Sequence, residues 1–276
     1  MSPKTHPLIS ILAAKGSVGV AFSGGVDSAL VALAAFKALG DKAVALTGDS
    51  PSVPRRELEI AIRLAQQIGI RHRILGTDEF QSPDYSKNDG SRCYFCKSEL
   101  YSQIRRAQPE LGFETICSGA NLDDLGDYRP GLTAAKEAGI CHPLIEASMN
   151  KEMVRKLALE WNLEIWDKPA SPCLSSRIAP NLEVTPERTL RVEKAEDFLH
   201  DIGYPVCRVR YFPNDIARVE VPKNRLPELV LHSKRVRETL LGLGFSQVEI
   251  DPEGFQSGKL NQLIPLNQKQ RWTQPA

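Results

Sequence analysis

The stretch that decides the fold is Val18-Gly19-Val20-Ala21-Phe22-Ser23-Gly24-Gly25-Val26-Asp27-Ser28. Its first residues are small or apolar and predict a short buried strand, while residues 29–39 continue as an apolar helix. Glycines between the two elements permit a tight turn and let a ligand approach the backbone. The amides that open the helix form a ready anion site. The stretch therefore predicts a strand, a phosphate-binding loop and a helix.

Polar side chains on both sides of the glycines distinguish this loop from an ordinary glycine-rich turn. Ser23 and Ser28 supply hydroxyl groups, and Asp27 supplies a carboxylate for a magnesium ion that bridges phosphates. A Walker loop is excluded because the spacing Gly-x-x-x-x-Gly-Lys-Ser/Thr is absent. We therefore expect ATP and Mg²⁺ to bind at the residues Ser23, Gly24, Gly25, Val26, Asp27 and Ser28.

The pattern Ser-Gly-Gly-x-Asp-Ser resembles the pyrophosphate loop (PP-loop) of the ATP pyrophosphatase superfamily, which includes NAD synthetase, GMP synthetase and tRNA thiolases. The resemblance implies that ATP adenylylates an oxygen of a substrate and that pyrophosphate leaves.

Composition sets the broad class of the protein. The 276 residues are enough for two domains, and 42% hydrophobic with 25% charged residues is ordinary for a globular protein. A net charge of +1 offers no basic field for nucleic acid. The sequence has no membrane-length apolar stretch and no export signal, so we expect no membrane partner and a cytoplasmic location. In that compartment the six cysteines favour metal binding, catalysis or burial over disulfides.

Strand and helix patterns alternate after the loop, with further strands predicted at 42–47, 70–76 and 115–118. This alternation predicts an α/β fold with a doubly wound parallel sheet over residues 1–180, with ligands beyond the carboxyl ends of the strands. The pattern changes near residue 180, where a helix over 185–202 is followed by strands at 206–212 and 216–221. Residues 181–276 therefore predict a small α+β domain, which we expect to bind substrate or to mediate oligomerisation.

The loop after the fourth strand, residues 119–131, carries three aspartates and one arginine. This composition suits a magnesium and phosphate site that faces the first loop. The alternative is a solvated turn closed by Pro130 and Gly131. We favour function, because acidic groups beside a phosphate loop cost free energy unless a cation is present. The residues expected to act there are Asp124, Asp127 and Arg129, together with Asp27.

Three cysteines are candidates for chemistry. Cys93 and Cys96 form a Cys-x-x-Cys pair, and Cys173 lies on a loop framed by prolines. Three thiolates would leave one iron of a 4Fe-4S cluster without a protein ligand, and that iron could hold a sulfide. The spacing equally allows a lone Cys173 nucleophile beside an incidental pair. Cys117 and Cys207 lie in apolar strands and are expected to be buried and inert.

Four polar residues suit the phosphate of a substrate. Ser176 and Arg177 follow directly after the Cys173 segment. Arg208 and Arg210 alternate along a predicted strand and therefore share one face. The alternative for these two arginines is a solvated strand face.

Taken together, the PP-loop, the stretches 123–131 and 172–177, and the arginine segment 208–218 resemble the LarE family of sulfur transferases, from about residue 17 to about residue 258. The resemblance implies that ATP adenylylates a carboxylate of pyridinium biscarboxylic acid mononucleotide. A protein-bound sulfur then displaces AMP and gives a thiocarboxylate for the nickel-pincer cofactor of lactate racemase. It also implies a homo-oligomer, a sulfur donor and a downstream nickel-inserting protein as partners.

Members of that family use two sources of sulfur. In one type a single cysteine gives up its sulfur and becomes dehydroalanine, and Cys173 matches that position. In the other type three cysteines bind a 4Fe-4S cluster that carries a sulfide, and the presence of Cys93 and Cys96 resembles this type. We therefore expect a cluster held by Cys93, Cys96 and Cys173, with sacrifice of Cys173 as the alternative.

Two other functions are compatible with the PP-loop. A tRNA thiolase would also use ATP, but the chain has no basic stripe with interleaved aromatic residues. A non-catalytic nucleotide-binding regulator would bind ATP without forming AMP.

Overall fold

The structure is a computed structural model that describes residues 6–125, 129–256, 258–266 and 268. These residues form two compact units. The first unit contains residues 6–79 and 93–171, and the second contains residues 80–92 and 172–268, so far as they are described. Of the helices described, none is both long and apolar enough to cross a membrane. The domain boundary expected at residue 180 and the roles expected for the two domains remain predictions.

Strands and helices alternate along the first unit and mix along the second. The strands are β1 (Val18–Ala21), β2 (Ala43–Asp49), β3 (Arg71–Gly76), β4 (Thr115–Cys117), β5 (Arg208–Phe212), β6 (Ile216–Glu220) and β7 (Gln247–Ile250). The helices are α1 (Pro7–Ala13), α2 (Val26–Leu39), α3 (Arg55–Ile68), α4 (Pro83–Ser86), α5 (Arg92–Leu111), α6 (Pro130–Glu137), α7 (Pro143–Glu146), α8 (Lys151–Glu160), α9 (Pro186–Asp201), α10 (Leu226–Leu231) and α11 (Ser233–Gly242).

The sheet of the first unit has the strand order β3-β2-β1-β4, and its neighbouring strands are parallel. The chain moves from β1 outward to β3 and then returns to the other side of β1 to form β4. The point beyond the carboxyl end of β1 is therefore the switch point at which open α/β sheets bind ligands. The predicted doubly wound α/β fold is confirmed.

Burial explains why the central strands read as almost continuous apolar runs. Val18 and Val20 of β1 and residues 43–47 of β2 are buried, as expected for strands covered on both faces. The helix α2 is buried over residues 28–35, so it is the central helix of the core. The helix α3 presents Ala61, Leu64, Ala65 and Ile68 to that core and ends at Gly69, whose φ of +80° permits the left-handed cap.

The second unit contains a smaller sheet with the order β5-β6-β7, in which β5 and β6 are antiparallel and β6 and β7 are parallel. Val192, Ala195 and Leu199 form the buried stripe of α9, which packs against β5. Two helices, α10 and α11, follow β6 and are divided at His232, where the backbone leaves helical geometry.

Candidate active site

The phosphate loop lies between the end of β1 and the start of α2, and its own side chains shape it. The Ser28 hydroxyl donates to the carbonyl oxygen of Gly25 at 3.0 Å and accepts from the Ser23 amide at 3.1 Å. The Ser23 hydroxyl accepts from the Gly25 amide at 3.3 Å. Gly25 caps α2 without a side-chain hydrogen bond. The two serines therefore fix the course of the loop, while the end of the helix stays open to an anion.

Two glycines allow neighbouring segments to approach this loop. Gly24 has a φ of +69°, and a Cβ there would lie 3.0 Å from Cα of Ala61 on α3. Gly119, which follows β4, approaches even more closely: a Cβ there would lie 2.6 Å from the backbone nitrogen of Ser28. Larger residues at these positions would displace the backbone that forms the loop.

The carboxylate of Asp27, in the first turn of α2, is held by two side chains that are distant in sequence. Lys151 Nζ forms a salt bridge with Asp27 Oδ2, and Asn121 Nδ2 donates to Asp27 Oδ1 at 3.1 Å. The Asp27 side chain is 23% exposed and that of Lys151 is 35% exposed. The site therefore combines a carboxylate that could hold a cation with a partly exposed lysine that could contact a phosphate.

The acidic loop after β4 folds onto the same site. Asp124 Oδ2 accepts the Asn121 amide at 3.0 Å, and Arg129 pairs with Asp124 Oδ1 at 3.0 Å. Asn121 thus connects Asp27 with Asp124, two of the residues expected to act together. Asp127 lies outside the described residues. The roles expected for Asp27, Asp124, Asp127 and Arg129 remain predictions.

Two further side chains contact the backbone beside or within the phosphate loop: Thr47 on β2 and Lys168 near the end of the first unit. The Thr47 hydroxyl donates to the carbonyl oxygen of Phe22 at 2.8 Å and lies 2.8 Å from Nε2 of His72, whose pKa is lowered by burial. Lys168 Nζ pairs with Glu57 Oε2 at 2.6 Å and lies 3.4 Å from the carbonyl oxygen of Gly24.

Cys173 caps a turn of 3-10 helix, Leu174–Arg177, in the second unit. Its carbonyl oxygen accepts from the Ser176 amide at 3.0 Å and from the Ser176 hydroxyl at 2.7 Å, while its side chain is only partly buried. The Arg177 side chain is 1% exposed and pairs with Glu196. Burial lowers the pKa of Arg177, but the charge and hydrogen bond of Glu196, together with the smaller influence of Cys173 and Cys207, leave that pKa raised. The assignment of Arg177 to the substrate phosphate remains a prediction.

The other two arginines of the predicted phosphate site lie on β5. Arg210 pairs with Glu220 at 2.9 Å and donates to the carbonyl oxygen of Ser176 at 3.3 Å. Arg208 is almost buried, and burial together with the nearby charge of Arg177 lowers its pKa. The two residues alternate along one strand as predicted, and both are buried rather than on a solvated strand face.

The remaining candidate cysteines differ in exposure. Cys93 is exposed and Cys96 is partly buried, and both lie in the first turns of α5. Cys117 and Cys207 are buried as predicted, and burial raises the pKa of both thiols, to about 12 for Cys117. Within the described part of the chain, no three or more His, Cys, Asp or Glu side chains are grouped so as to hold a metal ion. The 4Fe-4S cluster at Cys93, Cys96 and Cys173 remains a prediction.

Sequence reasoning did not single out Asn121, Lys151, Lys168 and Glu196. One signal for Lys151 was available. It is the first residue of α8, directly after the cap Asn150, where a cation opposes the helix dipole. A residue that violates a local preference at an element end is a candidate for function.

Comparison with known proteins places this geometry in a family. Residues 9–106, which contain the loop and α3, match the family model for NAD synthase. The chain is 36% identical to the pyridinium-3,5-bisthiocarboxylic acid mononucleotide synthase of Lactiplantibacillus plantarum, over 96% of each protein. It is 45% identical to an uncharacterised protein of Synechocystis sp., over 89% of this chain and 92% of that protein. An uncharacterised protein of Methanocaldococcus jannaschii is 26% identical over 86% of this chain.

The match to the Lactiplantibacillus synthase extends over both compact units rather than over the nucleotide-binding unit alone. The parallel sheet and its phosphate loop form a PP-loop domain like that of NAD synthase. The similarity therefore extends over the whole chain and not only over the phosphate, acidic and cysteine loops. The protein belongs to the LarE family of ATP-dependent sulfur transferases.

Proposed function

We propose that this protein uses ATP to adenylylate a carboxylate of pyridinium biscarboxylic acid mononucleotide and then converts that carboxylate to a thiocarboxylate. A second round would treat the other carboxylate, and the product would serve the nickel-pincer cofactor of lactate racemase. The proposal draws its substrate from the relative in Lactiplantibacillus plantarum, whose name states a bisthiocarboxylic acid mononucleotide.

The observation that carries the first step is the contact of Asp27 with Lys151 and Asn121 beside the amides of the phosphate loop. A substrate carboxylate oxygen attacks the α-phosphorus of ATP, the bond to the bridging oxygen breaks, and pyrophosphate leaves with the electron pair. The loop amides and Lys151 would stabilise the charge that develops on pyrophosphate. A magnesium ion held by Asp27 and Asp124 would neutralise part of that charge.

The second step replaces AMP with sulfur. A sulfur nucleophile forms a bond to the acyl carbon, the carbon–oxygen bond to AMP breaks, and AMP leaves. Cys93, Cys96 and Cys173 would hold a 4Fe-4S cluster, whose open iron would supply sulfide. Thiolates are the ligands that such clusters take, and all three of these cysteines are at least partly exposed. In the alternative, Cys173 itself attacks, and its Cβ–S bond then breaks with loss of the α-proton to leave dehydroalanine.

The nucleotide phosphate of the substrate is assigned to Ser176, Arg208 and Arg210, because the guanidinium of the fourth predicted residue, Arg177, already binds Glu196 and two backbone carbonyls. Arg210 contacts the backbone of Ser176, and Arg208 lies on the same face of β5. Guanidinium groups at this spacing suit a phosphate, which they can bind bidentately. Homo-oligomerisation, the sulfur donor and a nickel-inserting partner remain expectations of family membership.

Product analysis tests the adenylylation step. The purified protein is incubated with ATP, magnesium and pyridinium biscarboxylic acid mononucleotide, and we expect AMP and pyrophosphate in equal amounts together with a thiocarboxylate. ADP as the product would contradict the reaction class. Nucleotide binding without turnover would favour a regulator.

Iron and sulfide analysis after anaerobic reconstitution tests the source of sulfur. We expect iron in the wild-type protein and its loss in Cys93→Ala and Cys96→Ala, with Cys117→Ala as the matched control because Cys117 is buried. Normal sulfur transfer by the first two variants would contradict the cluster. Absence of iron, with loss of the mass of one H₂S per chain on turnover, would establish the sacrificial alternative.

A further inference from the structure

The Arg177 guanidinium is directed at the backbone of the cysteine loop. Its Nε and Nη2 groups donate to the two carboxylate oxygens of Glu196, each at 3.0 Å. Its Nη1 group donates to the carbonyl oxygens of Pro172 and, at 3.0 Å, Cys173, and lies 3.2 Å from the Ser176 hydroxyl. With 1% of the residue exposed, these protein groups occupy the donors of the guanidinium. A substrate phosphate would have to displace them.

Three donors converge on the carbonyl oxygen of Cys173. They are the Ser176 amide at 3.0 Å, the Ser176 hydroxyl at 2.7 Å and Arg177 Nη1 at 3.0 Å. The preceding carbonyl, that of Pro172, is also held by Arg177. The backbone on both sides of the cysteine nitrogen and Cα is therefore fixed, while the thiol remains partly exposed.

Glu196 connects this arrangement to the frame of the second unit. It lies on α9, is 5% exposed, and its Oε1 also accepts the Val209 amide of β5 at 3.0 Å. A chain of contacts thus runs from β5 through Glu196 and Arg177 to the carbonyl of Cys173. The contacts of Glu196 with Val209 and Arg177 are buried and that of Arg177 with the Cys173 carbonyl is partly buried, so solvent competes little for the first two.

We propose that Arg177 and Glu196 form a positioning pair that holds Cys173 for sulfur transfer by acting on its backbone. This proposal rests on the proposed function, since the step concerned is sulfur transfer, whether Cys173 binds the cluster or gives up its own sulfur. Sulfur must meet the acyl carbon in a defined geometry, and a misplacement of about 1 Å costs about 100-fold in rate. The substrate phosphate is then left to Ser176, Arg208 and Arg210.

The decisive variant removes both charges of the pair. Replacing Arg177 alone leaves a buried carboxylate without its partner, which costs about 3–5 kcal/mol and can unfold the unit. The double variant Arg177→Met/Glu196→Leu removes both charges and keeps the volume apolar, which buried pairs often tolerate. The matched control is Lys259→Met/Asp251→Asn, which removes the ion pair between Lys259 and the 4% exposed Asp251 carboxylate of the same unit.

In a single turnover with ATP and the mononucleotide, the double variant should form pyrophosphate at the wild-type rate. Release of AMP and thiocarboxylate should fall at least about 100-fold, whereas the control should resemble the wild type. A merely structural role would lower both steps together. Sulfur transfer at the wild-type rate in the folded double variant overturns the proposal, and so does an equal loss of both steps.

Amide hydrogen exchange at Ser176 gives a second measurement that needs neither ATP nor substrate. The Ser176 amide donates to the carbonyl that Arg177 holds, so its exchange should accelerate in the double variant and not in the control. Unchanged exchange overturns the proposal. If the wild-type protein forms no pyrophosphate, the proposed function fails instead, and the exchange result still decides whether the pair fixes the loop.

Discussion

The phosphate loop of the first unit and the cysteine loop of the second are stabilised in different ways. The phosphate loop is held by its own serines and by glycines that let backbone segments meet, as at Gly119 and Ser28. The cysteine loop is held by a buried side-chain pair, in which Arg177 donates to backbone carbonyls and Glu196 pairs with Arg177. The first loop therefore depends on its own serine hydroxyls and on glycines that lack a side chain, and the second depends on the charged side chains of Arg177 and Glu196.

This difference follows from what each loop must bind. A pyrophosphate needs several amides pointing at one place, which only the backbone can supply. A sulfur nucleophile needs one side chain in a defined orientation, which requires that its backbone be held while the side chain stays accessible. Substitutions in the first loop should therefore affect pyrophosphate formation, and those around the second should affect the later sulfur step.

The largest effect is expected for Gly119→Ala. The added Cβ would lie 2.6 Å from the Ser28 nitrogen and 2.9 Å from its Cα, so the phosphate loop must move. Pyrophosphate formation should fall by more than about 1,000-fold, because both positioning and anion-binding amides are disturbed. Gly76→Ala, at the end of β3, is the control because nothing lies within 4 Å of its added Cβ. Equal activity of the two variants in a pyrophosphate release assay would show that the close approach is unimportant.

A smaller loss is expected for Lys151→Met. Lys151 is the cation that pairs with Asp27, and its removal should slow pyrophosphate formation about 100-fold, as for the loss of one group that stabilises a developing charge. Lys156→Met is the matched control, because it changes an exposed lysine of the same helix. Single-turnover pyrophosphate release measures both variants. A rate for Lys151→Met equal to that of Lys156→Met would restrict Lys151 to a structural role.

The phosphate loop could be predicted from sequence, because glycines, flanking serines and the strand–helix pattern are local signals. The loop at residues 23–28 and the parallel sheet followed from them, and the family resemblance followed from four such stretches. Exact element ends were less accessible. The strand predicted over 42–47 spans Ala43–Asp49, and the strand predicted over 206–212 spans Arg208–Phe212.

The side-chain networks could not be predicted, since their members are far apart in sequence. Asp27 meets Asn121 and Lys151, which lie 94 and 124 residues away. Arg177 was expected at a phosphate because an arginine beside a serine suits one, and only the fold shows that Glu196 takes up its charge. A buried arginine and an exposed arginine look alike in a single sequence.

The smallest effect expected is on stability and concerns a side chain that supports the phosphate loop. Burial lowers the pKa of His72 from 6.5, so the folded protein keeps this imidazole neutral where the unfolded chain takes up a proton. The contribution is present above the unfolded value and is lost as the pH falls from that value toward the folded pKa. As the pH is lowered from about 8 to about 5, the melting temperature of His72→Gln should therefore fall less than that of the wild type.

Calorimetric unfolding across this range measures that difference, and His232→Gln serves as the control because it changes a histidine of the second unit. The Thr47 hydroxyl donates to the carbonyl oxygen of Phe22 and lies within hydrogen-bonding distance of His72. The variant therefore also tests whether the His72 side chain supports the phosphate loop. If the melting curves of wild type and His72→Gln shift in parallel with pH, burial of His72 is not linked to stability. If pyrophosphate formation is also unchanged in His72→Gln, the phosphate loop needs no support from His72. It would then differ still more from the cysteine loop, which depends on the distant side chain of Glu196.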